Sequence, residues 1–301
     1  MKKSNFIAGH WVEGTGSIKN INPSDTADVI SEYTSATGEQ FEQAVGSAII
    51  AQKEWEEVGI EKKSQILIRI GDELIQKSEE LGELLSQEEG KPLAEGIGEV
   101  ARAGQQFQYY GSECLRLYGE KIPSTRPGFQ VEISREPLGV VGIISPWNFP
   151  IAIPAWKAAP AMMCGNAVIL KPASLTIGSA VALTEIISKQ DIPKGLFNLV
   201  LGSGSDVGHK IAVHPEIAAI SFTGSVQTGR QLYKDASSTM KKMQMEMGSK
   251  NPLIIMDDAD LKTAITCAVN GAYGGTGQKC TASSRLIAVS YTHLTLPTSP
   301  K

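Results

Sequence analysis

Long apolar runs are missing from this chain. No uncharged apolar stretch reaches the roughly 18 residues that a membrane-spanning helix requires, so a membrane is not an expected partner. The basic start, Met1-Lys2-Lys3-Ser4-Asn5-Phe6, is followed by Ile7-Ala8-Gly9-His10, which supplies no sustained apolar region, and a secretory leader is not expected. Cysteine is scarce: Cys114, Cys164, Cys267 and Cys280 are scattered and show no CxxC spacing. They read as reduced thiols of a cytoplasmic protein, not as a disulfide or zinc framework, and no metal is expected. The net charge of −4 carries no basic block or stripe, which sets nucleic acid and anionic surfaces aside as main partners. Internal repeats and low-complexity segments are also absent.

What is present suits a packed α/β protein. Hydrophobic residues make up 42% and charged residues 20% of 301, enough for about two domains. Residues 1 to 36 alternate short apolar runs with turn residues such as Asn22-Pro23-Ser24-Asp25. From Glu39 to about Tyr118 the spacing is helical, with Phe41, Val45, Ala48 and Ile49 on one face and Ile66, Leu67, Ile70, Leu74 and Ile75 on another. Residues 121 to 136 read as an extended, hairpin-like arm. After Pro137 the rhythm becomes β-α-β. Strands are expected at Val140–Ser145, Ala167–Lys171, Phe197–Leu201 and Ala218–Phe222, with helices at Gly178–Lys189 and Asp206–Ala212. That alternation implies a parallel sheet with both faces covered, a Rossmann-like fold whose ligands bind at the carboxyl ends of strands. Leu286-Ile287-Ala288-Val289 reads as a strand of a second domain. Ser290 to Lys301, rich in Thr, Ser and Pro and without clear periodicity, fits an ordinary loop but reads better as foreign sequence.

The unusual residues stand at those strand ends. Ser145-Pro146-Trp147-Asn148 ends one strand, Lys171-Pro172 the next, and Thr223-Gly224-Ser225 a later one. Asn148 offers an amide that can stabilise an oxyanion, and Lys171 a charge within reach of a ribose or phosphate. Phe222-Thr223-Gly224-Ser225-Val226-Gln227-Thr228-Gly229 reads as strand end, tight turn and helix start, where N–H groups can hold phosphate; it is not a GxGxxG fingerprint. Ser225 suits the first turn of that helix. Cys280 follows the small residues of Thr276-Gly277-Gln278 and the cation of Lys279, which favours a thiolate; a buried structural cysteine fits the same residues. Glu246 lies between Met245 and Met247, a poorly solvated setting for a general base; the wet face of an alternating strand fits as well.

The order of these segments is more specific than any one of them. Pro146-Trp147-Asn148-Phe149-Pro150, Lys171-Pro172-Ala173-Ser174, Phe222-Thr223-Gly224-Ser225, Glu246-Met247-Gly248-Ser249-Lys250-Asn251-Pro252 and Gly277-Gln278-Lys279-Cys280 together resemble the aldehyde dehydrogenase superfamily, from about Phe6 to Val289. Ile151-Ala152-Ile153-Pro154-Ala155-Trp156-Lys157 is most similar to branches that oxidise succinate or 2-oxoglutarate semialdehyde.

The resemblance implies a catalytic set of Cys280, Glu246, Asn148 and Lys171. Cys280 would be the nucleophile, Asn148 with the Cys280 N–H the oxyanion hole, and Glu246 the base that activates water. NADP or NAD would be the cofactor, with Lys171 on the adenosine ribose and Ser225 near the pyrophosphate. Ser145, Pro146, Trp147, Asn148, Ala173, Ser174, Gly204, Gly208, Phe222, Thr223, Gly224, Thr228, Glu246, Met247 and Gly248 would line that site. Strongly NAD-selective members carry a glutamate three residues after the lysine; Ser174 stands there, so NADP is expected to be accepted. Phe149, Ile153 and Trp156 would line the aldehyde tunnel, although helix core is an equal reading for them.

Two departures from the family pattern stand out. Ser249 replaces a second glycine after the glutamate. The chain is also shorter than family members, lacking the Glu-Ile-Phe-Gly-Pro segment that grips the nicotinamide ribose and a C-terminal oligomerisation strand. The expected division is therefore a dinucleotide-binding domain at 1–247, with helices and an oligomerisation arm near 121–136, then the start of a catalytic domain at 248–289 and the tail at 290–301. A full-length parent would be a homo-oligomer acting on a small aldehyde. Two other functions fit the same residues: a cofactor-independent Cys/Glu thioesterase, and a non-catalytic dinucleotide-binding fragment.

Overall fold

The computed structural model describes residues 4–289 and the backbone of 292–295. The chain divides into two compact units, one of residues up to 222 with 232–244, the other of residues 223–231 and 245 onward. Among the described residues no helix is long and apolar enough to cross a membrane.

The first unit opens with four short strands, β1 (Asn5–Ile7), β2 (His10–Val12), β3 (Thr15–Ile21) and β4 (Val29–Ser35). Helices α1 (Gly38–Glu56), α2 (Ile60–Gln76), α3 (Ser78–Glu89) and α4 (Leu93–Glu113) follow. Thr37 begins α1 with a reciprocal capping box, its hydroxyl taking the N–H of Gln40 while Gln40 returns a bond to the Thr37 N–H. Helices α2 and α4 touch at Gly71 and Gly104, where a Cβ on either would stand 2.5 or 2.6 Å from the other's carbonyl oxygen. The arm is the antiparallel pair β5 (Glu120–Pro123) and β6 (Gln130–Ile133), exposed along its length.

The β-α-β rhythm then appears as read from sequence, with shifted ends. It runs β7 (Val140–Ile144), α5 (Ala152–Met163), β8 (Ala167–Lys171), α6 (Ile177–Ser188), β9 (Phe197–Leu199), a π-turn at Gly204–Gly208 leading into α7 (His209–Val213), β10 (Ile217–Gly224), α8 (Val226–Ala236) and β11 (Lys242–Met247). Helix α5 forms despite Pro154 and Pro160. Pro154 falls in the first turn, where a missing N–H costs nothing, whereas Pro160 lies inside the helix and is carried by the packing of a segment buried along most of its length.

The strands lie in the order β11-β10-β7-β8-β9-β1-β2, with β10, β7, β8 and β9 mutually parallel and β1 antiparallel to β9 and β2. From β7 the chain builds outward through β8 and β9, then returns across β7 to lay down β10. The sheet's topological switch point is therefore between β7 and β10, where open α/β sheets bind ligands at their carboxyl ends.

The second unit contains β12 (Asn251–Ile255), α9 (Leu261–Tyr273), β13 (Ser283–Ala288) and β14 (Thr292–Thr295). Strand β13 is parallel to β12 and antiparallel to β14. Of the stretch 290–301 read as foreign, Thr292–Thr295 forms β14, and residues 290, 291 and 296–301 lie outside the described residues.

Candidate active site

Three strand ends meet in one row. Phe222 of β10 pairs with Ile144 of β7, and Ile144 pairs with Lys171 of β8, so residues 145–148, 171–174 and 222 leave the sheet side by side. The Ser145 N–H donates to the Lys171 carbonyl at 3.1 Å. The Ser145 hydroxyl is buried and has no hydrogen-bond partner among the described residues. Lys171 is 5% exposed; its Nζ donates to the Pro172 carbonyl at 2.8 Å, and burial pulls its pKa down to about 8. A Cβ added at Gly208 would lie 3.9 Å from Lys171 Cδ, an ordinary van der Waals contact, which places this residue beside the lysine stem. Ala173 is half-buried and Ser174 exposed.

Pro146, Trp147, Asn148 and Phe149 are half-buried in the turn after β7. The Phe149 and Trp156 rings stack with centroids 6.5 Å apart, and Trp156 is 41% exposed. Ile153 separates from them. It is 5% exposed, on a helix α5 that is buried around most of its circumference.

In the second unit Ser225 is the cap of α8 and lies before its first turn. Its Oγ accepts the Thr228 N–H at 3.2 Å and donates to Thr228 Oγ1 at 2.9 Å. Gly204 and Gly248 have no atom within 4 Å of where a Cβ would stand. Glu246 is exposed, the wet-face reading. Its methionine neighbours adjoin it in sequence but not in space, because successive residues of a strand point to opposite faces; Met243 and Met245 are half-buried on the other side.

Cys280 is exposed and follows a tight left-handed turn, with φ of 58° at Gly275, 56° at Thr276 and 72° at Gly277. Its carbonyl accepts from Asn251 Nδ2 at 2.7 Å, and that same amide reaches the Ala282 carbonyl at 3.3 Å. Asn251 was not singled out from sequence as a site residue. Nor was Lys157, whose Nζ donates to Ser221 Oγ at 2.7 Å and Gln244 Oε1 at 2.8 Å. Nor were Lys91 and Glu99. Glu99 did carry a signal, a carboxylate among the apolar residues Gly96, Val100, Ala103 and Phe107 on the buried face of α4. A cavity of about 620 Å³ lined by Leu138, Val141, Lys157, Cys164, Ala219 and Met243 holds none of the residues expected from sequence. No group of His, Cys, Asp and Glu that could hold a metal occurs among the described residues.

The profile of the family described as "Aldehyde dehydrogenase family" matches residues 11–294. The chain belongs to the aldehyde dehydrogenase family. Over 288 residues it is 42% identical to an alpha-ketoglutaric semialdehyde dehydrogenase of Bacillus subtilis, covering 95% of this chain and 59% of that one. It is 39% identical over 290 residues to a 2,5-dioxopentanoate dehydrogenase of Saccharolobus solfataricus, covering 95% and 61%. The fold matches the betaine aldehyde dehydrogenase of Staphylococcus aureus solved with NAD+ at a TM-score of 0.93 and 34% identity, over 96% of this chain and 58% of that one. It matches an NADP-dependent enzyme of E. coli equally well, at 0.93 and 32%, over 95% and 60%. The chain thus spans about 60% of the length of these relatives, and the family match extends five residues past Val289.

Proposed function

We propose that this chain carries the chemistry of aldehyde oxidation to the carboxylic acid with a nicotinamide dinucleotide, and that its substrate is a semialdehyde such as 2-oxoglutarate semialdehyde. The observation that carries the reading is the loop of Cys280, an exposed thiol whose own carbonyl is tied down by Asn251 in a chain of this family.

In this reading Cys280 Sγ bonds to the aldehyde carbon, and the oxygen becomes an oxyanion held by the Asn148 amide and the Cys280 N–H. One such donor is worth about 10²–10³ in rate. The dinucleotide, when bound, supplies the acceptor for the hydride that leaves this carbon. The resulting Cys280 thioester is attacked by water, whose proton Glu246 takes. The acid departs and the Cys280 sulfur is restored. Dividing the reaction at a thioester replaces one hard step by two easier ones.

Several features fit the dinucleotide. The strand-end row stands at the switch point, the buried Ser145 hydroxyl has no partner among the described residues, and Ser225 caps an 11-residue helix. Lys171 would hold the adenosine ribose, Ser225 the pyrophosphate, and exposed Ser174 would leave room for a 2′-phosphate, so NADP is accepted. Phe149, Ile153 and Trp156 would line the aldehyde path. The division into 1–247, 248–289 and a foreign 290–301, a cytoplasmic location, and a homo-oligomeric parent joined through the exposed arm belong to the same reading.

A second reading is dinucleotide binding without turnover. It is favoured by α9, where Leu261, Ile265 and Val269 stand exposed at i, i+4, i+8 spacing. Mixing the chain with NADP+ and 2-oxoglutarate semialdehyde separates the two: reduced cofactor that C280A does not form supports oxidation, and binding alone supports the second reading.

A further inference from the structure

Lys91 and Glu99 form a buried ion pair against the loop that carries Asn148. Lys91 follows Gly90, whose φ of 85° ends α3, and precedes Pro92, the cap of α4. The two side chains are 3% and 1% exposed. Lys91 Nζ donates to Glu99 Oε2 at 2.7 Å and to the Asn148 carbonyl at 2.7 Å, and lies 4.2 Å from the centre of the Phe149 ring. A second carboxylate, Glu89, stands 3.7 Å from Nζ. From the other side, Glu99 Oε1 accepts the N–H groups of Ile151 and Ala152, both at 3.1 Å, and so ties down the start of α5.

A buried ion pair is a poor source of stability, because desolvating both charges offsets their attraction. This one does something more specific. Its polar contacts run to the main chain at both ends of the stretch Asn148–Ala152, which gives a short turn two charge-assisted anchors. A side chain on such a turn is held about as tightly as its backbone, and a displacement near 1 Å can cost about 10²-fold in rate.

We propose that Lys91 and Glu99 are positioning residues that fix the main chain of Asn148, and through it the amide that holds the aldehyde oxygen. The proposal rests on the reading of Asn148 given above. Lys91 also seats the Phe149 ring, so one ammonium sets a catalytic and a substrate-lining residue together.

Two readouts distinguish failure of this proposal from failure of that reading. The first is hydrogen exchange at Ile151 and Ala152 in this chain. E99Q keeps an acceptor for these amides but removes the negative charge that faces the Lys91 ammonium, whereas K91M removes the anchor on Asn148. Both variants should speed exchange there about tenfold or more, the worth of a charge-assisted bond, with other helices of the unit unchanged. Unchanged exchange in both variants overturns the proposal. The second readout is a cycle of K91M, N148A and the double variant, followed by formation of reduced cofactor. K91M should lower kcat about 10²-fold with KM for the cofactor unchanged, and should change kcat less than about twofold when N148A is already present. A full second loss in the double variant shows that Lys91 does not act through Asn148 and overturns the proposal. Faster local exchange in the two variants, with a wild-type chain that turns over no aldehyde, supports the anchoring while contradicting the oxidation reading. Should K91M fail to fold, the cycle is run with E99Q.

Discussion

Asn251 Nδ2 donates to the carbonyl of Cys280 at 2.7 Å across 29 positions of sequence. The same amide spans to Ala282 at 3.3 Å, so one side chain from the start of β12 holds both sides of the thiol's turn. The Asn251 carbonyl, in turn, accepts from Ser284 Oγ at 3.3 Å. Together with the Ala282 N–H, which donates to the Lys279 carbonyl at 3.0 Å, this clamp would confine the approach of the proposed nucleophile to a substrate.

Removing the clamp should therefore affect reactivity more than stability. N251A is expected to cost about 1–2 kcal/mol of unfolding free energy, two ordinary hydrogen bonds, and to lower turnover about tenfold or more. Thiol-trapping rates at Cys280, measured with an alkylating reagent beside a thermal melt, check this. Unaltered trapping and turnover would show that the clamp does not govern the thiol.

Ser174 should control cofactor choice. A carboxylate in its place, S174E, is expected to repel the 2′-phosphate and weaken NADP binding at least about tenfold, or 1.4 kcal/mol, while sparing NAD. Titration of each cofactor by intrinsic fluorescence gives the ratio of dissociation constants directly.

Lys171 carries a cost that varies with pH. Burial lowers its pKa to about 8 from the ordinary 10.5, so its charged form is disfavoured in the folded chain. The penalty is complete below about pH 8, shrinks as pH rises through that value, and vanishes above the ordinary lysine range. K171M should accordingly melt higher than the wild type at pH 7, and the advantage should fade towards pH 10. Bound dinucleotide should reverse the shift by offering acceptors to the ammonium. Calorimetry at pH 8 in buffers of different ionisation enthalpy is expected to show proton uptake in the wild type and none in K171M.

Glu89 moves the other way. Burial, offset by Lys91 and reinforced by Glu99, raises its pKa to about 7. Its neutral form is the favoured one, so its contribution to stability is whole below the ordinary carboxylate value and is lost as pH rises through about 7. E89Q should remove that loss, and its melting temperature should gain on the wild type's between pH 5 and pH 8.

The parts legible in sequence were those carried by local pattern. The β-α-β strands came from apolar runs bounded by turn residues, and the tip of β10 from Thr223-Gly224-Ser225, whose Ser225 bonds a neighbour three positions away. What escaped notice depends on distant partners. Lys91 meets the Asn148 carbonyl across 57 positions, and Asn251 meets Cys280 across 29, and no periodicity encodes either pairing. Glu246 shows a different limit: the methionines beside it left burial and the wet face of a strand equally open, and the strand's alternation sends the methionines to the opposite face.

The most direct test of the account is a rapid-mixing experiment on this chain with NADP+ and 2-oxoglutarate semialdehyde, following reduced nicotinamide and the state of Cys280 by mass spectrometry. The account predicts reduced cofactor formed together with an acyl adduct on Cys280, neither appearing in C280A. Reduced cofactor formed equally by C280A, or an acylated Cys280 without any cofactor, would contradict it.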